Sequence, residues 1–308
     1  MNEKNKLVVI DSNSVIHRAF HALPPLTTKA GVGVSAVYGF LLVFLKIIRE
    51  LQPTYIAACF DVPKPTFRHQ KFKGYKAKRP PTPKDIKEQI PLVKEFLEKF
   101  RVPSFEKEGF EADDLIGTIC ELAGESNLDL ETVILSGDLD GLQLVNPSTK
   151  AYFLRRGVKD TVLYDEEKVK ERYQGLVPSQ LVDFKALRGD PSDNVPGVPG
   201  IGEKTAIKLI KEYGSLESLY KKILNPKIKI PNTLREKLLQ NKDKAFLSQE
   251  LVKIEKNVPI DFDLEKCRWG KYDKEEVVKI FQEFEFHSLI NKLPETQKSS
   301  SDNNLRLW

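Results

Sequence analysis

An α/β fold built on a mostly parallel sheet flanked by helices is expected for this chain, on two observations. Three apolar runs each end on an aspartate, Lys6 to Asp11, Tyr55 to Asp61 and Thr132 to Asp138, as buried strands of a parallel sheet do where chemistry gathers at their carboxyl ends. Segments of helical periodicity alternate with these runs through the first half, which predicts crossover helices.

The elements follow in order. After the strand to Asp11, Ser35 to Leu51 spaces Val37, Leu41, Phe44, Leu45 and Ile48 as one helical face. A strand runs to Asp61, a helix is expected from about Pro83 to Phe100, another over Leu115 to Ala123, and a strand ends near Ser136. From about Asp165 strand signals fade, and short amphipathic helices are predicted at Glu166–Tyr173, Ser179–Arg188, Glu203–Tyr213, Leu216–Ile223 and Asp273–Phe284. The expected organisation is an α/β core over 1–170 carrying a basic arch at about 64–84, a helical part over 171–292, and a polar tail over 293–308, with no internal repeat.

With 308 residues the chain has ample material for a buried core. Cys59, Cys120 and Cys267 are far apart, odd in number and free of C-x-x-C spacing, which predicts reduced thiols and a cytoplasmic setting rather than a zinc site. The longest apolar stretch, Val34 to Leu45, falls short of the ~20 residues that span a bilayer. Net charge is only +5, yet between Val62 and Lys84 lie eight Lys or Arg and no Asp or Glu. A basic segment facing acids elsewhere suits a metal-dependent enzyme acting on a polyanion, of which nucleic acid is the obvious one.

Further acids are spaced to join Asp11, Asp61 and Asp138: Glu111, Asp113 and Asp114 at a helix start, Asp140 two residues past Asp138, and Asp190 and Asp193 in a turn. Any one of them is ordinarily a helix cap or a turn former. Together they form an oxygen-only set that selects hard divalent cations, Mg²⁺ or Mn²⁺. Several carboxylates from different segments are what two-metal phosphoryl chemistry needs. Glu111 and Asp114 are expected to share a helix face, and Asp138 and Asp140 to point the same way along extended chain.

In the basic segment, Phe67, Phe72 and Tyr75 offer stacking surfaces for unpaired bases, and Lys76 and Arg79, three apart, would reach one phosphate from a helix. Pro80-Pro81-Thr82-Pro83 ends that helix. Gly197-Val-Pro-Gly200-Ile-Gly202-Glu-Lys204-Thr205 stands directly before a helical pattern, and glycine turns with exposed amides favour phosphate oxygens. It resembles the hairpin of helix-hairpin-helix modules, expected over about 186–213. His17 and His21 lack a third ligand of their kind and are assigned no metal.

Taken in order, these motifs resemble the 5′-nuclease (flap endonuclease) family, most closely the N-terminal 5′→3′ exonuclease domain of bacterial DNA polymerase I. The stretches that carry the resemblance are Val9-Ile-Asp11, Leu26-Thr-Thr28 with Val37-Tyr-Gly-Phe40, Phe60-Asp61 with Phe67-Arg-His69, Tyr75-Lys76 with Arg79-Pro-Pro-Thr-Pro83, Gly109 to Asp114, Ser136-Gly-Asp138 and Gly189 to Asn194 leading to Gly197. They span about residues 6 to 290. The resemblance implies a nuclease cutting DNA with 5′ flaps, nicks or RNA primers during replication and repair, leaving a 5′-phosphate and a 3′-hydroxyl. It implies that Asp11, Asp61, Glu111, Asp113 and Asp138 hold one metal and that Asp114, Asp140, Asp190 and Asp193 bind or support a second. Lys76 and Arg79 would polarise the scissile phosphate, Tyr75 would stack on a displaced base, and Arg18 would contact phosphate. The hairpin around Gly197 to Gly202 would bind K⁺ through backbone oxygens, and a polymerase domain would follow residue 308 in a bacterial, nucleoid-associated monomer. Leu139 stands where many relatives carry lysine, so the resemblance does not carry over that lysine's phosphate contact and leaves the metal ligands untouched. Two rivals are a non-catalytic junction binder and a PIN-type ribonuclease.

Overall fold

The structure is a computed structural model that describes residues 4–126 and 128–294. The polar tail expected over 293–308 lies outside the described residues from 295 onward. β1 (Asn5–Asp11) leads into α1 (Ser12–Ala22), then α2 (Ser35–Leu51), β2 (Tyr55–Cys59), α3 (Phe67–Lys71), α4 (Lys84–Lys99), β3 (Ser104–Phe105), α5 (Ala112–Gly124) and β4 (Leu130–Ser136). A hairpin of β5 (Thr149–Arg156) and β6 (Asp160–Tyr164) closes the strand-bearing half. The helices α6 (Glu166–Arg172), α7 (Leu181–Arg188), α8 (Glu203–Tyr213), α9 (Leu216–Ile223), α10 (Asn232–Gln240), α11 (Lys242–Val252), α12 (Lys274–Glu283) and α13 (His287–Ile290) follow.

The six strands lie in the order β3-β2-β1-β4-β5-β6, parallel except for the antiparallel β5–β6 pair at one edge. The expected mostly parallel sheet is present. Its centre is β1, whose side chains alternate between two cores: Leu7 and Val9 enter one, Val8 and Ile10 the other. Apolar residues on both faces make β1 a continuous hydrophobic run, as a doubly covered strand must be.

One core buries α5 and the helices from α6 to α11 against the sheet; the other buries α1, α2 and α4. Residues of α12 and α13, Val277, Ile280, Phe281 and Leu289, join the second core beside Phe96 and Phe100. The helices after residue 171 therefore divide between the two faces. A third, smaller cluster packs Tyr75 on Val195, Leu251 and Val252, fastening the basic segment to α11 and to the turn after α7.

The basic segment differs from the helical arch expected over 64–84. Its one helix, α3, is five residues long, and turns occupy the stretch up to the prolines. Lys76 takes a left-handed backbone, φ 54°, which breaks any helix through it. Among the described residues no helix is long and apolar enough to cross a membrane, and all three cysteines are free.

Candidate active site

β1 and β2 are in register at Asp11 and Cys59, and β1 and β4 at Ile10 and Leu135, so the chain leaves all three strands at one rim. Asp11 ends β1, Asp61 lies two residues past β2, and Asp138 two past β4. α5 starts beside them because Asp61 Oδ1 accepts from the Ala112 amide at 2.7 Å. A cavity of about 830 Å³ opens here. Asp11, Asp61, Glu111, Asp113, Asp138, Asp140, Asp190 and Asp193 line it, eight of the nine expected carboxylates, together with Arg18, Lys76 and Arg79.

Asp114 is the ninth, and it departs from expectation. Its side chain is fully buried, and Arg68 meets it with two hydrogen bonds of 2.7 Å. Asp114 Oδ2 also accepts from the Glu111 amide at 3.0 Å and Oδ1 from the Glu255 amide at 2.8 Å. Each oxygen is satisfied within the protein, so the side chain turns inward from Glu111 to anchor α5. Arg68 further donates to the carbonyls of Leu251 and Lys253, both at 2.8 Å, which joins α3, α5 and the end of α11.

Tyr75 also departs from its expected role. Only 4% exposed, it donates its hydroxyl toward Glu111 Oε2 at 3.1 Å and Asp193 Oδ2 at 3.3 Å. Its ring belongs to the small apolar cluster, leaving no open face for a base. Phe67 packs at a tilt against Phe110, ring centroids 5.8 Å apart, and lies under the Arg68 guanidinium, 4.5 Å from the ring centroid, and so serves packing as well.

Lys76 donates to Glu111 Oε1 at 2.7 Å, and Arg79 pairs with Asp193. The two reach different carboxylates, and they do so from a turn rather than from the expected helix. The segment is locked to the turn after α7 by the Lys76 amide on the Asp193 carbonyl, 2.8 Å, and by Asn194 Nδ2 on the Gly74 carbonyl, 2.7 Å. Asp140 begins a 3₁₀ turn over Asp140–Leu144, so its chain is not extended beyond Asp138. It turns instead toward Lys185, which also donates to Asp190 Oδ2 at 3.0 Å. Arg18 Nη2 donates to the Gly137 carbonyl at 2.7 Å, beside Asp138.

Four carboxyls of the cavity are raised above the ordinary range, Asp193 among them through burial. Burial, then the charge of Asp61, raise Asp11 to about 6 against the hydrogen bond from Ser136. Asp138 is pushed up to about 7 by desolvation within the cavity walls and by the neighbouring Asp140 charge. Its side chain is open to the cavity, so the nearby charge carries the greater weight. Burial and then Asp11 hold Asp113 well above the usual carboxylate range. In contrast, Lys185 brings Asp190 down to about 2 despite its partial burial. Among the described residues no three acidic, His or Cys groups converge as a closed ligand set with the side chains as they stand. The donors fit a hard divalent cation all the same: they are all carboxylate oxygens, and Asp11, Asp113 and Asp138 crowd like charges that a cation would relieve.

At the turn after α7, Gly189 and Gly197 approach so closely that a Cβ on Gly197 would stand 2.3 Å from the Gly189 nitrogen. Gly197 and Gly200 have φ of 59° and 80°, which glycine adopts without strain. Gly202 caps α8, and the adjoining Glu203 and Lys204 are exposed, with Thr205 half-buried behind them. Sequence reasoning missed Lys185 and the anchoring work of Arg68. Their signals were faint, a lysine five residues before Asp190 and one arginine among eight clustered cations.

A mostly parallel sheet with eight carboxylates gathered at its carboxyl rim, under lysine and arginine, defines a hydrolase of the nuclease class. The sequence profile of the 5′-3′ exonuclease N-terminal resolvase-like domain matches residues 6–174, and that of the 5′-3′ exonuclease C-terminal SAM fold matches residues 176–275. The chain belongs to the 5′-3′ exonuclease family. It is 41% identical over 295 residues to DNA polymerase I of Bacillus subtilis, covering 96% of this chain and 33% of that protein. DNA polymerase I of Geobacillus stearothermophilus is 44% identical over 290 residues, covering 94% and 32%. The chain thus spans about a third of the length of these curated relatives. Among solved structures, a zinc-bound T5 5′-exonuclease superposes with a TM-score of 0.66 at 22% identity, covering 82% of this chain and 90% of that one. The catalytic core of Rad2 in complex with DNA substrate gives 0.60 at 22% identity, covering 94% and 93%. These likenesses establish the shared fold.

Proposed function

We propose that the cavity is the active centre of a metal-dependent 5′ nuclease that cuts DNA near the junction of a 5′ single strand and a duplex, as exonuclease and as flap endonuclease. The observation that carries this reading is the meeting of eight carboxylates from β1, β2, α5, β4 and the turn after α7 in one cavity beside Lys76 and Arg79. Asp11, Asp61, Glu111, Asp113 and Asp138 would hold one divalent cation, Mg²⁺ or Mn²⁺, and Asp140, Asp190 and Asp193 would border a second. When bound, such ions supply activation of the attacking water and neutralisation of charge on the scissile phosphate.

The chain's own groups do the rest. Lys76 and Arg79 exchange Glu111 and Asp193 for phosphate oxygens, placing two cations where negative charge grows. Arg18, held on the Gly137 carbonyl, offers its remaining donors to a neighbouring phosphate. Gly197, Gly200, Gly202, Lys204 and Thr205 present amides and a charge to the duplex backbone without reading bases, in the manner of a helix-hairpin-helix. The same loop offers carbonyl oxygens to K⁺. The similarity to DNA polymerases I supports a setting beside a polymerase, in the bacterial cytoplasm.

The test is cleavage of a 5′-flap DNA labelled at its end, with Mg²⁺ and with EDTA, by the wild-type chain and by Asp138→Ala. Metal-dependent cutting that Asp138→Ala abolishes while flap binding persists is expected. Binding without any cutting would mean a junction-binding module instead, and preference for single-stranded RNA a ribonuclease.

A further inference from the structure

Lys185 has no part in the roles assigned above. It stands on α7, its side chain 13% exposed, and its ammonium bridges two carboxylates from separate parts of the chain. One is Asp140, at the head of the turn that follows β4; the other is Asp190, whose Oδ2 accepts at 3.0 Å. The second oxygen of Asp190 is also used, accepting from the Ser192 amide at 3.0 Å and the Ser192 hydroxyl at 2.6 Å. Asp193 is occupied too, with Oδ1 on Arg79 and Oδ2 on the Tyr75 hydroxyl.

The other half of the cavity is different. The ion pairs made by its lining carboxylates fall on Glu106, Glu111, Asp193, Asp140 and Asp190. Among the described residues none falls on Asp11, Asp61, Asp113 or Asp138, whereas Asp140, Asp190 and Asp193 are each paired from within. Lysine suits that work: a compact point charge with three donors, on a stem long enough to swing away when a better acceptor arrives.

We propose that Lys185 is the built-in cation of the Asp140–Asp190–Asp193 half, so that the DNA-free chain takes up one divalent ion tightly and a second only once Lys185 leaves its two carboxylates. A substrate phosphate entering the cavity supplies the acceptor that draws the ammonium off. The second ion is then recruited together with the DNA, and Lys185 acts as a positioning residue. This inference rests on the reading of the cavity as a divalent-cation site.

The experiment is a Mn²⁺ titration of the metal-stripped chain without DNA, with free Mn²⁺ followed by electron paramagnetic resonance. Wild type is expected to bind one Mn²⁺ tightly and Lys185→Met two, with second-site affinity raised at least roughly tenfold, in line with the coupling of close charge pairs. Lys185→Arg, which keeps the charge, should again bind one. Should Lys185→Met fail to fold by circular dichroism, Lys185→Gln removes the charge with a polar end and gives the same readout. Two equally tight ions in wild type, or a single ion in a folded charge-removing variant, overturns the role of Lys185 and leaves the cation-site reading intact. No Mn²⁺ bound by any variant refutes the cation-site reading itself, and this inference with it.

Discussion

Replacing Asp114 by asparagine separates an anchor from a metal ligand. The change keeps the volume and removes the charge opposite Arg68, whose own side chain is 3% exposed. Each oxygen of Asp114 accepts one guanidinium donor and one backbone amide, so either orientation of the asparagine sets its NH₂ against two donors. Removing one partner of a buried pair costs about 3–5 kcal/mol. For a chain of this size each kcal/mol moves the melting temperature by roughly 2–4 °C, and a fall of about 10 °C follows. The assay is thermal unfolding by circular dichroism in EDTA, with Mn²⁺ affinity measured well below the transition. Affinity of the folded variant should stay near wild type. The double change Arg68→Met with Asp114→Leu should recover much of the lost stability, because no unpaired buried charge remains. An Asp114→Asn variant that melts within about 2 °C of wild type yet loses Mn²⁺ binding would refute the reasoning and return Asp114 to the ligands.

In EDTA, stability should fall as pH rises from about 4 to 7. Asp11 at about 6 and Asp138 at about 7 sit above ordinary carboxyls, so each contributes stability below its unfolded value that is lost as pH passes its folded value, at most about 3 kcal/mol from Asp11. Asp190, lowered to about 2, acts in the opposite sense, but only at more acid pH. Mg²⁺ should flatten the decline; melting temperatures in EDTA that hold level or rise across this range would contradict the crowding of charge. Lys76→Ala should slow single-turnover flap cleavage by roughly 10²-fold and weaken flap binding in Ca²⁺ much less, so equal losses in both would place its contact in the ground state. Gly197→Ala, meeting the Gly189 backbone at φ 59°, should lower the urea midpoint by an amount worth about 2 kcal/mol or more; an unchanged midpoint would show that the turn can open.

Much of this protein is readable from local pattern. Three apolar runs closing on Asp11, Asp61 and Asp138 announced the parallel strands and the rim they share, because burial on both faces writes itself directly into consecutive residues. The helices with strong periodicity, α2 and α4 above all, fall close to their predicted bounds. The β5–β6 hairpin escaped notice, since a half-exposed edge pair such as β6 lacks a continuous apolar run, and so did α1, whose polar residues and two histidines blur its apolar face.

Composition and spacing alone placed nine acids and eight clustered cations in the chain; only tertiary packing decided which of them meet. Arg68 finds Asp114 across 46 residues and Lys185 finds Asp140 across 45, and nothing periodic in a sequence marks such pairs. Burial then sets the outcome: Asp114 is closed off by a guanidinium and two amides, and Tyr75 is drawn under Leu251 and Val252. Asp11, Asp113 and Asp138 are left without an ion-pair partner among the described residues, and their carboxyls are raised above the usual range. A carboxylate's character depends on what surrounds its oxygens in space, and those neighbours come from distant parts of the chain.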